Sequence, residues 1–235
     1  MILKSSKLIK MLLAVSLGGL VSACTSLGSL NDPIERKFQW FSYMEGGDIR
    51  AACAPGAPSR YRLVYNGVYM EQVRAYDLGP DALLSARVIG PANVRTLMVE
   101  NFGSLLDPWR GKAASRQLSM DEMKMLVSAL DQDGAFGPPA VGTELSSRGF
   151  FWTIAACHEG RYHFTGLAWP SPRWGDATFD DVLFTLDPSP IAVNPPRKTR
   201  TSRIGVHGPR NNDADVAFRT GVGEQGLVNI TDLFR

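Results

Sequence analysis

The sequence predicts an α+β fold in which antiparallel β-hairpins form a sheet and two or three short helices pack on it. Three observations carry this expectation. Two pairs of apolar runs are joined by turn residues, at Asn66-Gly67 and at Glu159-Gly160. The stretch from Leu118 to Gly134 has apolar residues at helical spacing, bounded by a capping box and a glycine. Helices do not alternate strictly with strands, which disfavours a doubly wound parallel sheet.

The first element is a helix. Asp32 stands at its N-cap, Pro33 at the first helical position and Glu35 at N3. Ile34, Phe38 and Phe41 follow at helical spacing, and Gly46-Gly47 ends the segment. These aromatics are expected to pack on the domain core, with contact to lipid as the alternative.

A hairpin follows over Arg60–Tyr65 and Val68–Val73, because Asn66-Gly67 accepts the positive φ angles of a type I′ turn. That turn sets Leu63 opposite Met70, Val64 opposite Tyr69 and Arg62 opposite Glu71, pairing like with like and charge with countercharge. One long bent strand through Gly67 is the competing arrangement. Leu83 to Ile89 and Val94 to Val99 continue as strands, interrupted by Gly90-Pro91.

Ser119-Met120-Asp121-Glu122 forms the capping box, and Leu118 is placed to staple onto Met123. Met123, Leu126, Val127 and Leu130 recur along one face, and Gly134 provides the stop. Phe150 to Cys157 and Arg161 to Trp169 make a second hairpin. A short helix then runs from the cap Thr178 through Phe179, Val182, Leu183 and Leu186 to Asp187-Pro188. Residues 188–213 are expected to be mostly irregular, and 214–235 either a returning strand or disordered.

The N-terminus has a different character. Lys4, Lys7 and Lys10 precede an apolar run from Met11 to Leu20, and Val21-Ser22-Ala23-Cys24 closes it. A basic region, a short apolar region and small residues before a processing point describe a secretory signal. The run falls short of the roughly 20 apolar residues that span a bilayer. Val-Ser-Ala-Cys resembles the lipobox of bacterial lipoproteins, a likeness that covers about the first tenth of the chain.

The resemblance implies cleavage before Cys24, a diacylglycerol on its thiol and an acyl chain on its new amino group. Each buried methylene adds about 0.8 kcal/mol, so several chains anchor stably where one does not. Thr25 stands where such lipoproteins carry aspartate for inner-membrane retention, which implies the outer membrane with the body facing the periplasm. The implied organisation is a signal peptide over 1–23, a tether over 24–31, a single domain over 32–187 and a partly irregular tail over 188–235. The tether reaches at most about 25–30 Å, keeping the body near the membrane.

Loss of residues 1–23 removes three lysines and no acids, leaving 22 basic against 23 acidic residues, so the formal charge of +2 becomes −1. The basicity belongs to the signal, and no nucleic-acid partner is expected. With 44% apolar and 20% charged residues the composition is that of a globular protein. Two cysteines remain, Cys53 and Cys157, and an oxidising periplasm predicts that they are bonded. A loop of that length stabilises by about 4.7 kcal/mol in the chain-entropy view. The alternative, Cys157 as a nucleophile with His158 as its base, is disfavoured because adjacent strand residues point to opposite faces.

The motifs that carry familiar chemistry fail on context. Gly221-Val-Gly-Glu-Gln-Gly226 matches a dinucleotide fingerprint, yet only nine residues follow it, so it is expected to be a flexible loop. Asp131-Gln-Asp133-Gly134 suggests a calcium loop, but alanines occupy the first and twelfth positions, and a helix terminus explains it better. His158, His163 and His207 are the only histidines. The first two share a face of the second hairpin as diagonal neighbours, and a zinc site needs Glu159 or His207 as a third ligand. No metal, cofactor or catalytic residue is predicted. Trp152, Trp169 and Trp174 are expected in the core, with sugar stacking as the alternative.

The function implied is a non-enzymatic structural or binding role in the cell envelope. Its expected partners are the bilayer, through acylated Cys24, and an envelope protein or peptidoglycan. The alternative is a tethered hydrolase of cell-wall or carbohydrate material.

Overall fold

Strands β1 (Arg60–Gly67), β2 (Val73–Leu78), β3 (Leu83–Ile89) and β4 (Lys112–Gln117) pair in succession, and β6 (Phe150–His158) and β7 (Arg161–Trp169) add to the β1 side. The result is a six-stranded antiparallel sheet in the order β4-β3-β2-β1-β6-β7. A second sheet of three strands joins β5 (Glu144–Ser146), β8 (Arg219–Val222) and β9 (Leu227–Thr231). The helices are α1 (Pro33–Met44), α2 (Gly47–Ala52), α3 (Met120–Gln132), α4 (Pro172–Gly175) and α5 (Phe179–Leu186). The structure is a computed structural model and describes residues 33–90, 111–198 and 218–231. The fold is α+β, as the sequence predicts.

Both faces of the main sheet are covered. Helices α3 and α5 bring Leu126, Leu130, Phe179, Leu183 and Leu186 onto Leu63, Tyr65, Tyr76 and Trp152. On the opposite face α1 brings Trp40, Tyr43 and Met44 onto Val64, Ala75, Phe151 and Ala155, and the small sheet adds Leu145, Phe218 and Val222. The reason is in β1 and β6. Tyr61–Gly67 and Phe150–Cys157 are buried at every residue, so each strand needs an apolar layer on both sides.

The first hairpin departs from its predicted register. Asn66-Gly67 lies inside β1, and the turn is displaced to residues 68–72, with Val68 at φ 64°. Leu63 therefore faces Tyr76, Val64 faces Ala75 and Arg62 faces Asp77. Tertiary bonding overrides the turn dipeptide. The Asn66 amide donates to the carbonyls of Ser147 (3.1 Å) and Gly149 (2.7 Å), and β6 pairs along β1 as far as Gly67–Phe150. Charge complementarity survives with a different acid.

The other local expectations divide by how local they are. Ser119 and Glu122 cap α3 reciprocally, and Gly134 follows the helix at φ 74°. Glu159 and Gly160 turn the second hairpin, both with positive φ as a type I′ turn needs. A Cβ on Gly160 would also lie 2.7 Å from the Ala54 carbonyl oxygen, so glycine is required there. Gly46-Gly47 ends the first helix as predicted, since α1 stops at Met44. Gly46 redirects the chain at φ 63° into α2, and its missing Cβ makes room for Ala155. The run 221–226 forms the end of β8 and the loop that connects it to β9. The predicted cap Asp32 and the predicted strand 94–99 lie outside the described residues.

Candidate functional site

Cys24 and His207 lie outside the described residues. Cys53 and Cys157 are joined by a disulfide with Cα atoms 5.5 Å apart, tying the end of α2 to the end of β6. Cys157 is thereby removed as a nucleophile. His158 and His163 meet as diagonal neighbours, because β6 and β7 pair Ala156 with His163. Their ring centroids lie 6.5 Å apart.

An aromatic side chain that sequence reasoning passed over organises this pair. Phe136 stacks on His158 at 4.1 Å with an 11° interplanar angle, and meets His163 edge-on at 5.7 Å. The Tyr61 hydroxyl lies 2.9 Å from His158 Nδ1. Nε2 of His163 is buried without a hydrogen-bond partner among the described residues. Burial lowers the His163 pKa below its ordinary value, and the charges of Arg161 and His158 act in the same direction, against a hydrogen bond to the Phe136 backbone. The imidazole is thus held neutral as part of the packing. Among the described residues, no three His, Cys, Asp or Glu side chains converge as a metal site requires.

The residues flanking Phe136 line a cleft at this end of the sheet. Phe136 turns inward while Gly134 and Gly137 remain at the surface, facing α4. Helix α4 starts where Ser171 Oγ accepts the Trp174 N–H (3.2 Å) and Pro172 occupies the first turn. Trp174 goes to the core, and Arg173 and Asp176 are left beside the α3 terminus. A cleft of about 520 Å³ lies between, lined by Gln132, Asp133, Arg173 and Asp176 with the two glycines.

Two of these side chains are positioned by long-range bonds. Arg173 donates through Nη1 to Thr165 Oγ1 (3.2 Å) and through Nη2 to the Gly134 carbonyl (3.3 Å). Asp133 Oδ2 accepts the backbone N–H groups of Thr178 (2.7 Å) and Phe179 (2.8 Å), capping α5 in place of the Thr178 side chain. The sequence placed Asp133 at a helix end. It carried no signal for a cap 45 residues away.

The remaining strong electrostatics are structural. Arg62 donates from Nε to Asp77 (2.7 Å) and by a fork to Asp48 (2.5 and 3.2 Å), with its guanidinium 3.9 Å from the Tyr43 ring centre. Burial and Asp77 together push the Tyr43 hydroxyl well above its ordinary pKa. On the other face Arg74 is ion-paired to Asp187, and the Tyr76 hydroxyl donates to the same carboxylate oxygen (2.6 Å). Arg74 also donates to the Ile191 carbonyl (3.0 Å), and Gln72 to that of Ala192 (2.9 Å), fastening irregular residues 188–194 along the sheet. Sequence reasoning missed Asp48, Arg74, Asp77 and Asp187 as partners, since alternating charges in a strand ordinarily signal its solvated face.

No family model matches the chain, and no curated protein matches it. Among the described residues no helix is long and apolar enough to cross a membrane.

Proposed function

We propose that the chain is an outer-membrane lipoprotein, anchored through acylated Cys24, whose periplasmic domain serves the cell envelope by binding rather than by catalysis. The observation that carries the reading is the disposition of its cysteines. One closes a lipobox at the end of an apolar signal, and the other two form a disulfide, the pattern of a protein that matures in an oxidising compartment. The use of the titratable groups supports binding over turnover. His158 and His163 pack on Phe136, and the carboxylates of Asp48 and Asp187 are committed to arginines. The hydrolase alternative has one foothold, the presence of Asp133 and Asp176 in the same cleft, although one Asp133 oxygen is already spent on α5.

The test is Cys24→Ser. It abolishes metabolic labelling by palmitate and leaves the signal uncleaved, while the wild type labels and fractionates with outer membranes. A wild-type protein that carries no lipid and appears in the soluble periplasmic fraction refutes the anchor. A second arm addresses catalysis. The His158→Ala, His163→Ala double variant, once shown to be folded, complements a deletion strain, and failure of that folded variant to complement returns the hydrolase to first place.

A further inference from the structure

We propose that the cleft between the end of α3 and α4 binds a small zwitterion, the head group of a free amino acid with its carboxylate and ammonium on one carbon. This deepens the reading of the chain as a binding protein and rests on it. The starting point is Arg173. Arg50, Arg60, Arg62, Arg74, Arg116, Arg197 and Arg219 each have a carboxylate within ion-pair distance. The fixed partners of half-buried Arg173 are two neutral oxygens, those of Thr165 and Gly134. Two of the five guanidinium N–H groups are used in this way, which orients the fork and leaves its charge unspent. A planar fork takes a carboxylate by two parallel N–H···O bonds.

The acids in the same cleft decide what accompanies that carboxylate. Asp176 is exposed on the rim, and no ion pair engages it among the described residues. Asp133 directs Oδ2 at α5, and its other oxygen has no bond among the described residues. A ligand carrying only negative charge meets two carboxylates, and one carrying only positive charge meets a fixed guanidinium. A ligand with both signs a few ångströms apart matches the set. The volume, about 520 Å³, falls within the range of small-molecule sites. The lining is polar and apolar in about equal measure, with Pro138 and Ala177 beside the charged groups, which suits a head group carrying a small side chain.

The experiment titrates the full mature protein, purified in detergent, with each common amino acid by calorimetry. At least one binds saturably, and its methyl ester and its N-acetyl derivative each bind at least about tenfold more weakly, the loss expected for one charge-assisted contact. Arg173→Gln weakens the free amino acid by a similar factor and leaves binding of the ester unchanged. Asp176→Asn, a change at an exposed position that leaves the packing intact, weakens the free amino acid and leaves the N-acetyl form unchanged. The proposal is overturned if no amino acid binds, or if binding is indifferent to both variants. The intact mass of the same preparation reports the lipid separately. Lipidated protein that binds no amino acid refutes the zwitterion site alone, and unlipidated protein that binds one refutes the anchor alone.

Discussion

Replacing Asp187 by alanine tests how the tail is held to the sheet. Arg74 and Asp187 have side chains only 1% and 4% exposed, so their ion pair is out of water. The substitution leaves the Arg74 guanidinium buried without its counter-charge and deprives the Tyr76 hydroxyl of its acceptor. Removing one partner of a buried pair costs about 3–5 kcal/mol, because the remaining charge keeps its desolvation penalty. For a chain of this size that corresponds to a fall in Tm of about 6–20 °C. The Arg219–Glu144 pair is the internal control, since its side chains are 65% and 66% exposed. Glu144→Ala should cost less than about 1 kcal/mol. Urea unfolding of the mature protein followed by circular dichroism, with the disulfide intact, reads both values. An Asp187→Ala loss no larger than that of Glu144→Ala, at an unchanged m-value, refutes the buried pair and with it the account of how residues 188–194 are fastened.

Other consequences follow from the cysteines and from His163. Cys53→Ala and Cys157→Ala should each destabilise the domain by about 2–5 kcal/mol and to a similar extent, and thiol titration of the native mature protein should find neither cysteine free. Two accessible thiols would reject the disulfide. Because the His163 pKa is lowered in the folded state, the unfolded chain binds more protons once the pH falls below its ordinary value of 6.5. The stability from this site is complete above that pH and is lost progressively as the pH drops from there towards the depressed folded value. His163→Gln should flatten this part of the Tm-against-pH curve, and an unchanged slope would show that the imbalance lies elsewhere.

The elements legible in advance are those whose determinants lie within a few residues of one another. The capping box of α3, the Glu159-Gly160 turn and the stop at Asp187-Pro188 each depend on backbone geometry that neighbouring side chains impose. The disulfide was legible for a different reason, because the signal expected at the N-terminus implies an oxidising compartment and leaves two spare cysteines. Asn66-Gly67 shows the limit of local reasoning. Its intrinsic preference for a tight turn is worth little against a buried amide bonded to two carbonyls and a strand paired on both sides.

What only the tertiary structure decided is the partnership of charges and the site they make. Arg62 and Arg74 stand in strands like solvated residues, and nothing nearby in sequence distinguishes them. They are buried because α1 and α2 close over one face of the sheet and residues 188–194 cross the other, bringing Asp48, Asp77 and Asp187 within reach. Phe136 and Arg173 are similar cases, separated along the chain from the histidines and the helix end that they contact. By itself the sequence determined the class of fold, the capping box of α3, the Glu159-Gly160 turn and the pairing of Cys53 with Cys157. Which polar groups converge was left to packing, because electrostatic partnership depends on distance in space, and side-chain identity does not encode that distance until the sheet has been assembled.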